Sequence, residues 1–131
     1  MQRETTISLR LSLYQEVVAI IGAEYGEELA LDEIAYRVAS SRRQLQRAFA
    51  EVGHTTFRQH LTAVRMDRAA EKLAGSEMTV RDVAHSVGYR QPAQFAKAFR
   101  RRHGLAPSDY RTKSRLFGTR QSVDAPVVAA A

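Results

Sequence analysis

The stretch IAYRVASSRRQLQRAFAEVGHTTF, residues 34–57, is echoed later in the chain by VAHSVGYRQPAQFAKAFRRRHGLAP, residues 83–107. Ile34, Ala35 and Val38 match Val83, Ala84 and Val87 at an offset of 49. Leu45, Ala48 and Phe49 match Phe95, Ala98 and Phe99 at an offset of 50, so the second copy has one extra residue between the two groups. Thr56-Phe57 matches Ala106-Pro107, and each copy is followed by a further helix start. A repeat at fixed spacing requires the chain to build the same supersecondary unit twice. Here that unit is a short helix, a tight turn, a longer helix and entry to a third helix.

Two helices joined by a three- or four-residue turn follow the helix-turn-helix plan. The plan needs a small residue where the helices cross, supplied by Ala35 and Ala84. It needs a small or glycine residue in the turn, met by Ala39 and Gly88. The inner face of the second helix must be apolar, which predicts Leu45, Ala48, Phe49 and Val52 in one copy and Phe95, Ala98 and Phe99 in the other.

The rest of the chain also reads as helix, because long alternating β-branched runs are absent and only three prolines occur. Ser12 with Gln15 forms a capping box that predicts the first helix start, with Gly26 as its stop. A short helix follows near residues 31–38. Ser41 with Gln44 opens the next, to about Val52, and Thr56 with Gln59 opens a long helix to about Ala74. Thr79 opens a short helix to about Val87, and a last one spans residues 107–113. The expected fold is all-α: two helix-turn-helix subdomains joined by a long linker helix, about seven helices in total. The expected division is an N-terminal arm at 1–11, a first subdomain at 12–54, the linker helix at 55–75, a second subdomain at 76–113 and a disordered tail at 114–131.

Charge is unevenly spread. Residues 1–41 hold three basic and seven acidic side chains, whereas residues 42–115 hold 16 basic and six acidic. A basic surplus confined to one region points to a polyanion, above all nucleic acid. The faces of the two longer helices sharpen this. Opposite Leu45 and Phe49 stand Arg43, Gln46, Arg47 and Ala50; in the second copy the outward positions are Ala93, Ala96, Lys97 and Arg100. Arg suits guanine edges and Gln adenine edges in the major groove, and Arg and Lys also grip phosphate. The first copy reads as the sharper base reader. The second offers methyl groups and two cations, which suits thymine methyls and the backbone.

The segments IAYRVASSRRQLQRAFAEVG, TTFRQHLTAVRMDRAAEKLA and VRDVAHSVGYRQPAQFAKAFRRRHGLAPSDYR together resemble the AraC/XylS transcriptional regulators over roughly residues 12–113. The last segment ends in Gly104-Leu105-Ala106-Pro107-Ser108-Asp109-Tyr110-Arg111, similar to the family's G-x-x-P-x-x-Y-R signature. The resemblance implies two recognition helices entering successive major-groove segments of double-stranded DNA. By position it places base reading on Arg43, Gln46, Arg47, Ala93, Ala96 and Lys97. Phosphate contacts are expected at Arg42, Gln44, Arg90, Gln91 and Arg100. Binding as a monomer is expected, and the resemblance further implies contact with RNA polymerase. This chain departs from the family at Gln91, Ala93 and Gln94, where Asp, Ser and His are common, and at His103, where an aromatic is common. His54 takes the place of a family glycine, and Gly53 is expected to make the turn instead.

Other function classes fit less well. Four histidines, His54, His60, His85 and His103, fall on separate elements without metal-ligand spacing, and there is no Gly-rich phosphate loop. Cysteine is absent, which removes disulfides, thiolate metal sites and the cysteine chemistry of methyl-transfer repair regulators. No enzyme, metal or cofactor is expected. The apolar runs are too short for a membrane span and the first ten residues lack a signal-peptide core, so a cytoplasmic location is expected. The alternative reading is a protein-interaction module of the transcription machinery, using acidic Glu24, Glu27, Glu28, Asp32 and Glu33. Salt-dependent DNA affinity separates the two.

Overall fold

The computed structural model describes residues 2–117, with side chains from Glu4 onward. Among these residues there are seven helices and no strand. They are α1 (Gln2–Glu24), α2 (Leu31–Arg37), α3 (Arg42–Gly53), α4 (Phe57–Gly75), α5 (Val80–Ser86), α6 (Pro92–His103) and α7 (107–117). They form two compact units whose boundary falls inside α4, between Arg65 and Met66. The first unit thus comprises α1, α2, α3 and the start of α4. The second comprises the rest of α4, then α5, α6 and α7.

The repeat is deeper than the two matching stretches alone suggest. Val17 and Ile21 on α1 correspond at an offset of 49 to Met66 and Ala70 on α4, and all four are buried. Each unit therefore has four helices, with α4 serving as the last of one and the first of the other. In the first unit Val17, Ile21, Ile34, Ala35, Leu45, Phe49, Phe57 and Leu61 form one apolar core. In the second, Met66, Ala70, Leu73, Val83, Phe95 and Phe99 are buried. Burying each large apolar side chain contributes about 1.5–3 kcal/mol.

The turns repeat as well. Ala39 and Gly88 both take positive φ, at 53° and 94°. Ser40 N–H donates to the Ala35 carbonyl at 2.9 Å, and Tyr89 N–H to the Ala84 carbonyl at 2.9 Å. Ala35 and Ala84 are buried at the crossings, as the motif requires. The extra residue of the second copy falls after this shared bond, between Tyr89 and the Gln91 cap.

Helix starts follow the caps. Thr56 and Gln59 form a reciprocal box: Gln59 N–H donates to Thr56 Oγ1 at 3.0 Å, and Thr56 N–H to Gln59 Oε1 at 3.3 Å. Ser41 and Thr79 each accept from the backbone N–H three residues on, at 3.2 and 3.0 Å. The Gln44 side chain turns to Ser40 Oγ instead of closing its box. Pro92 sits at the start of α6, where its missing N–H has no partner to lose.

The structure departs from expectation in three places. α1 begins at Gln2 rather than Ser12, so the Ser12–Gln15 pair lies inside a helix. No glycine or proline interrupts residues 2–21, and Arg10 on this stretch pairs with Glu51 of α3. The last helix continues past Lys113 to residue 117, with Ser114 buried in it; the remainder of the expected tail, 118–131, lies outside the described residues. Finally, His54 takes the left-handed conformation (φ 51°, ψ 39°), and Gly53 is the last residue of α3. Gly53 is needed for space: a Cβ there would lie 2.6 Å from Tyr14 Cε1.

Candidate nucleic-acid interface

α3 and α6 are held from below by aromatic clusters. Phe49 meets Tyr14, His60 and Phe57 with ring centroids 5.0, 5.8 and 5.9 Å apart. Phe99 meets His103, Tyr110 and Phe95 at 4.6, 5.2 and 5.8 Å. His60 and Tyr110 occupy equivalent places at the offset of 50 that relates Phe49 to Phe99. His103 thus fills the aromatic position with an imidazole face.

The residues following α6 have a structural logic. Gly104 closes the helix at φ 81°, and Pro107 begins α7 in a buried position. Tyr110 packs on Phe99, and Arg111 Nε donates to the Leu73 carbonyl at 2.9 Å. That bond satisfies a carbonyl at the end of α4, where the helix leaves acceptors unpaired. Arg65 plays a comparable role in the first unit. It donates from Nε to the Tyr25 carbonyl and from Nη2 to the Glu27 carbonyl, both at 2.7 Å.

With their apolar faces buried, the two helices present their other faces outward. Arg42, Arg43, Gln44, Gln46, Arg47 and Ala50 are all exposed on α3. Arg90, Gln91, Ala93, Lys97 and Arg100 are exposed at or before α6. Ala96 is half-buried, because it lies only about 60° around the helix from Phe99 and has a short side chain. Val52 and Ala98 are likewise half-buried rather than fully in the core.

Ion pairing sorts the cations. Arg42 sits 3.6 Å from Asp32, both well exposed. Arg43, Arg47, Lys97 and Arg100 form no ion pair among the described residues. The arginine run 100–102 divides. Arg100 and Arg101 are exposed, whereas Arg102 donates to both carboxylate oxygens of Asp67, at 3.0 and 2.8 Å. The Arg102 guanidinium holds the Asp67 carboxyl below the usual carboxylate range. His103 Nε2 adds a contact 3.4 Å from the same carboxylate. In the first unit, Arg37 grips Glu24 with two bonds of 2.8 and 2.6 Å. Helix-face periodicity does not single out two further exposed cations, Arg58 and Arg81, in the first turns of α4 and α5. Their position beside helix starts was the available signal.

Histidine chemistry is not assembled here. His85 is exposed, and His60 is half-buried against Tyr14 and Phe49, where burial lowers its pKa. Among the described residues no group of His, Asp and Glu could hold a metal ion, and no helix is long and apolar enough to cross a membrane.

A family model described as a helix-turn-helix domain matches residues 34–113. The chain is 35% identical over 97 residues to the HTH-type transcriptional regulator GbdR of Pseudomonas aeruginosa, covering 74% of this chain and 26% of GbdR. It is 32% identical over 99 residues to the regulatory protein SoxS of Escherichia coli, covering 76% of this chain and 92% of SoxS. The chain thus spans about a quarter of the first relative and nearly all of the second. Among solved structures, the DNA-binding domain of AdpA, a global transcriptional factor, in complex with a target DNA superposes with a TM-score of 0.75 at 31% identity. That match covers 79% of this chain and 93% of the AdpA domain. A transcriptional regulator with an AraC-type DNA-binding domain from Chromobacterium violaceum superposes at 0.74 with 26% identity, covering 78% of this chain and 91% of that one.

Proposed function

The chain belongs to the AraC/XylS family of transcriptional regulators, and on that footing we propose that it binds a specific double-stranded DNA site and regulates transcription from it. The observation that carries this reading is the repeated unit itself. Two turns with the same backbone bond each present a second helix with outward cations, Arg43 and Arg47 on α3 and Lys97 and Arg100 on α6, that form no ion pair among the described residues. A lone amphipathic helix with charges outside would be an ordinary solvated surface. Two such helices, in a fold similar to a domain solved on DNA, are better accounted for as two readers of successive major-groove segments.

In this reading α3 reads bases through Arg43, Gln46 and Arg47. Ala93, Ala96 and Lys97 of α6 meet the second segment, Ala96 by its partly covered methyl group and Lys97 by an ammonium that also reaches phosphate. Arg42, Gln44, Arg90, Gln91 and Arg100 hold phosphates, and Arg42 exchanges Asp32 for a phosphate on binding. The protein acts in the cytoplasm as a monomer on its site, without catalysis, and contacts RNA polymerase once bound. Selection of bound duplexes from a random pool tests the reading. The expected product has two short sequence blocks about one helical turn apart. A pool with no enrichment overturns it.

A further inference from the structure

The two units differ sharply in charge. Residues 1–65 hold eight basic and eight acidic side chains. Residues 66–117 hold eleven basic and five acidic, which equals the whole chain's net charge of +6. Pairing widens the gap. Among the described residues of the first unit, Arg10, Arg37 and Arg42 are tied to Glu51, Glu24 and Asp32, leaving Arg43, Arg47 and Arg58 without an ion pair. Glu16, Glu27, Glu28 and Glu33 remain exposed and outside any ion pair among the described residues. Among the described residues of the second unit, Arg81, Arg90, Lys97, Arg100, Arg101 and Lys113 are exposed and outside any ion pair, and only Asp82 and Asp109 oppose them as unpaired acids.

Sequence-independent affinity for duplex DNA comes from cations that displace counterions from phosphates. Only the second unit has a surplus for this. The first unit's spare cations are outnumbered by its spare carboxylates, which a phosphate backbone repels. Its Arg43, Gln46 and Arg47 can recover that cost only where base edges accept their hydrogen bonds. We propose that the two units divide the work unequally: the second supplies most of the affinity for DNA of any sequence and adds a weaker preference of its own, and the first engages only at the correct site. The acidic side chains of the first unit weaken its hold on any phosphate backbone, so it stays disengaged where matching bases are missing. This rests on the DNA-binding reading above, and it assigns the source of specificity within it.

The test measures affinity against salt concentration for the full chain, on the selected site and on random duplex. Removing one cation from a phosphate flattens the logarithmic slope by about 0.9. K97Q/R100Q is expected to flatten the random-duplex slope by about two. R43Q/R47Q is expected to flatten it by less than one while abolishing most of the preference for the selected site. A third variant, E27Q/E28Q/E33Q, changes only exposed side chains outside the proposed interface. It is expected to raise affinity for the selected site, where the first unit is engaged, on the order of threefold, with a smaller gain on random duplex. Equal flattening of the random-duplex slope by the two cation variants overturns the division of work. So does a gain on random duplex equal to or larger than that on the selected site, or no gain on either, for the acid variant. If the unmodified chain shows no salt-dependent DNA affinity, the DNA-binding reading itself fails, an outcome distinct from these.

Discussion

Tyr14 of α1 lies against the backbone of Gly53 at the end of α3, so closely that a methyl group at Gly53 would come within 2.6 Å of the ring and 2.9 Å of its hydroxyl oxygen. The ring cannot easily retreat, because it also packs edge-on against buried Phe49 at 5.0 Å. Gly53→Ala is therefore expected to lower stability by about 1–3 kcal/mol, the usual cost of overpacking. A double-mutant cycle separates this clash from helix propensity. With Tyr14→Ala in place, Gly53→Ala should become neutral or stabilising, by up to about 1 kcal/mol, since alanine is the better helix former. Urea midpoints for the four proteins check this. An unchanged penalty in the Tyr14→Ala background would rule out the clash.

Four left-handed positions give a second, independent prediction. Gly88 and Gly104 have φ of 94° and 81°, whereas Ala39 and His54 reach 53° and 51° with side chains attached. L-residues resist this region by roughly 1–2 kcal/mol. Ala39→Gly and His54→Gly should each raise stability, by about 0.5–1 kcal/mol after glycine's greater unfolded-state entropy is subtracted. Gly104→Ala should cost about 1 kcal/mol or more, although nothing lies within 4 Å of the added Cβ. Thermal melts of the single variants test the set; a stabilised Gly104→Ala would contradict the backbone argument.

These positions also show how far the sequence was legible. The repeat at 49 and 50 residues revealed both turns, both crossing alanines and both aromatic anchors, because each depends on local spacing. The opposing roles of Gly53 and His54 were not legible. A glycine beside a helix end reads equally well as a turn or as a close approach, and only Tyr14, 39 residues earlier, decides between them. The same holds for the arginine run. Helical geometry separates Arg100, Arg101 and Arg102, but Asp67, which holds Arg102, is 35 residues away. The start of α1 was missed for another reason: a Ser-x-x-Gln pair marks a helix start only where the preceding residues are not helical. The outward face of α3 was legible from periodicity, and that of α6 was too, apart from the half-burial of Ala96.

His60 makes stability depend on pH. Burial against Tyr14 and Phe49 lowers its pKa from the ordinary 6.5. The unfolded chain, with His60 released, binds its proton at a higher pH than the folded chain does. Between the two pKa values the unfolded state holds more protons, so folding loses stability as pH falls below about 6.5 and levels off below the folded value. Above about 6.5 the imidazole is neutral in both states, and this contribution is flat. His60→Phe keeps an aromatic partner for Phe49 without a titrating group. Urea unfolding at a series of pH values should show a smaller loss between about pH 7 and 5 for His60→Phe than for the unaltered chain. Parallel curves would remove His60 as the cause.

Arg47 is exposed, sits on the face of α3 opposite Leu45 and Phe49, and forms no ion pair among the described residues. An arginine in that state can pair with guanine through two hydrogen bonds, or it can grip phosphate, and the two roles leave different signatures. If it reads a base, Arg47→Ala should cost about 1–3 kcal/mol on the preferred site and relax the preference at one position. Sites altered at that position should then bind the variant nearly as well as the original. If it grips phosphate, affinity should fall alike for preferred and random duplexes, with the salt slope reduced by about one. Lys97→Ala, on the α6 face, is expected to give the second pattern. Titrating both variants against a panel of single-position site variants, at two salt concentrations, distinguishes the roles. A uniform loss for Arg47→Ala across the panel would move Arg47 from the reading group to the phosphate group.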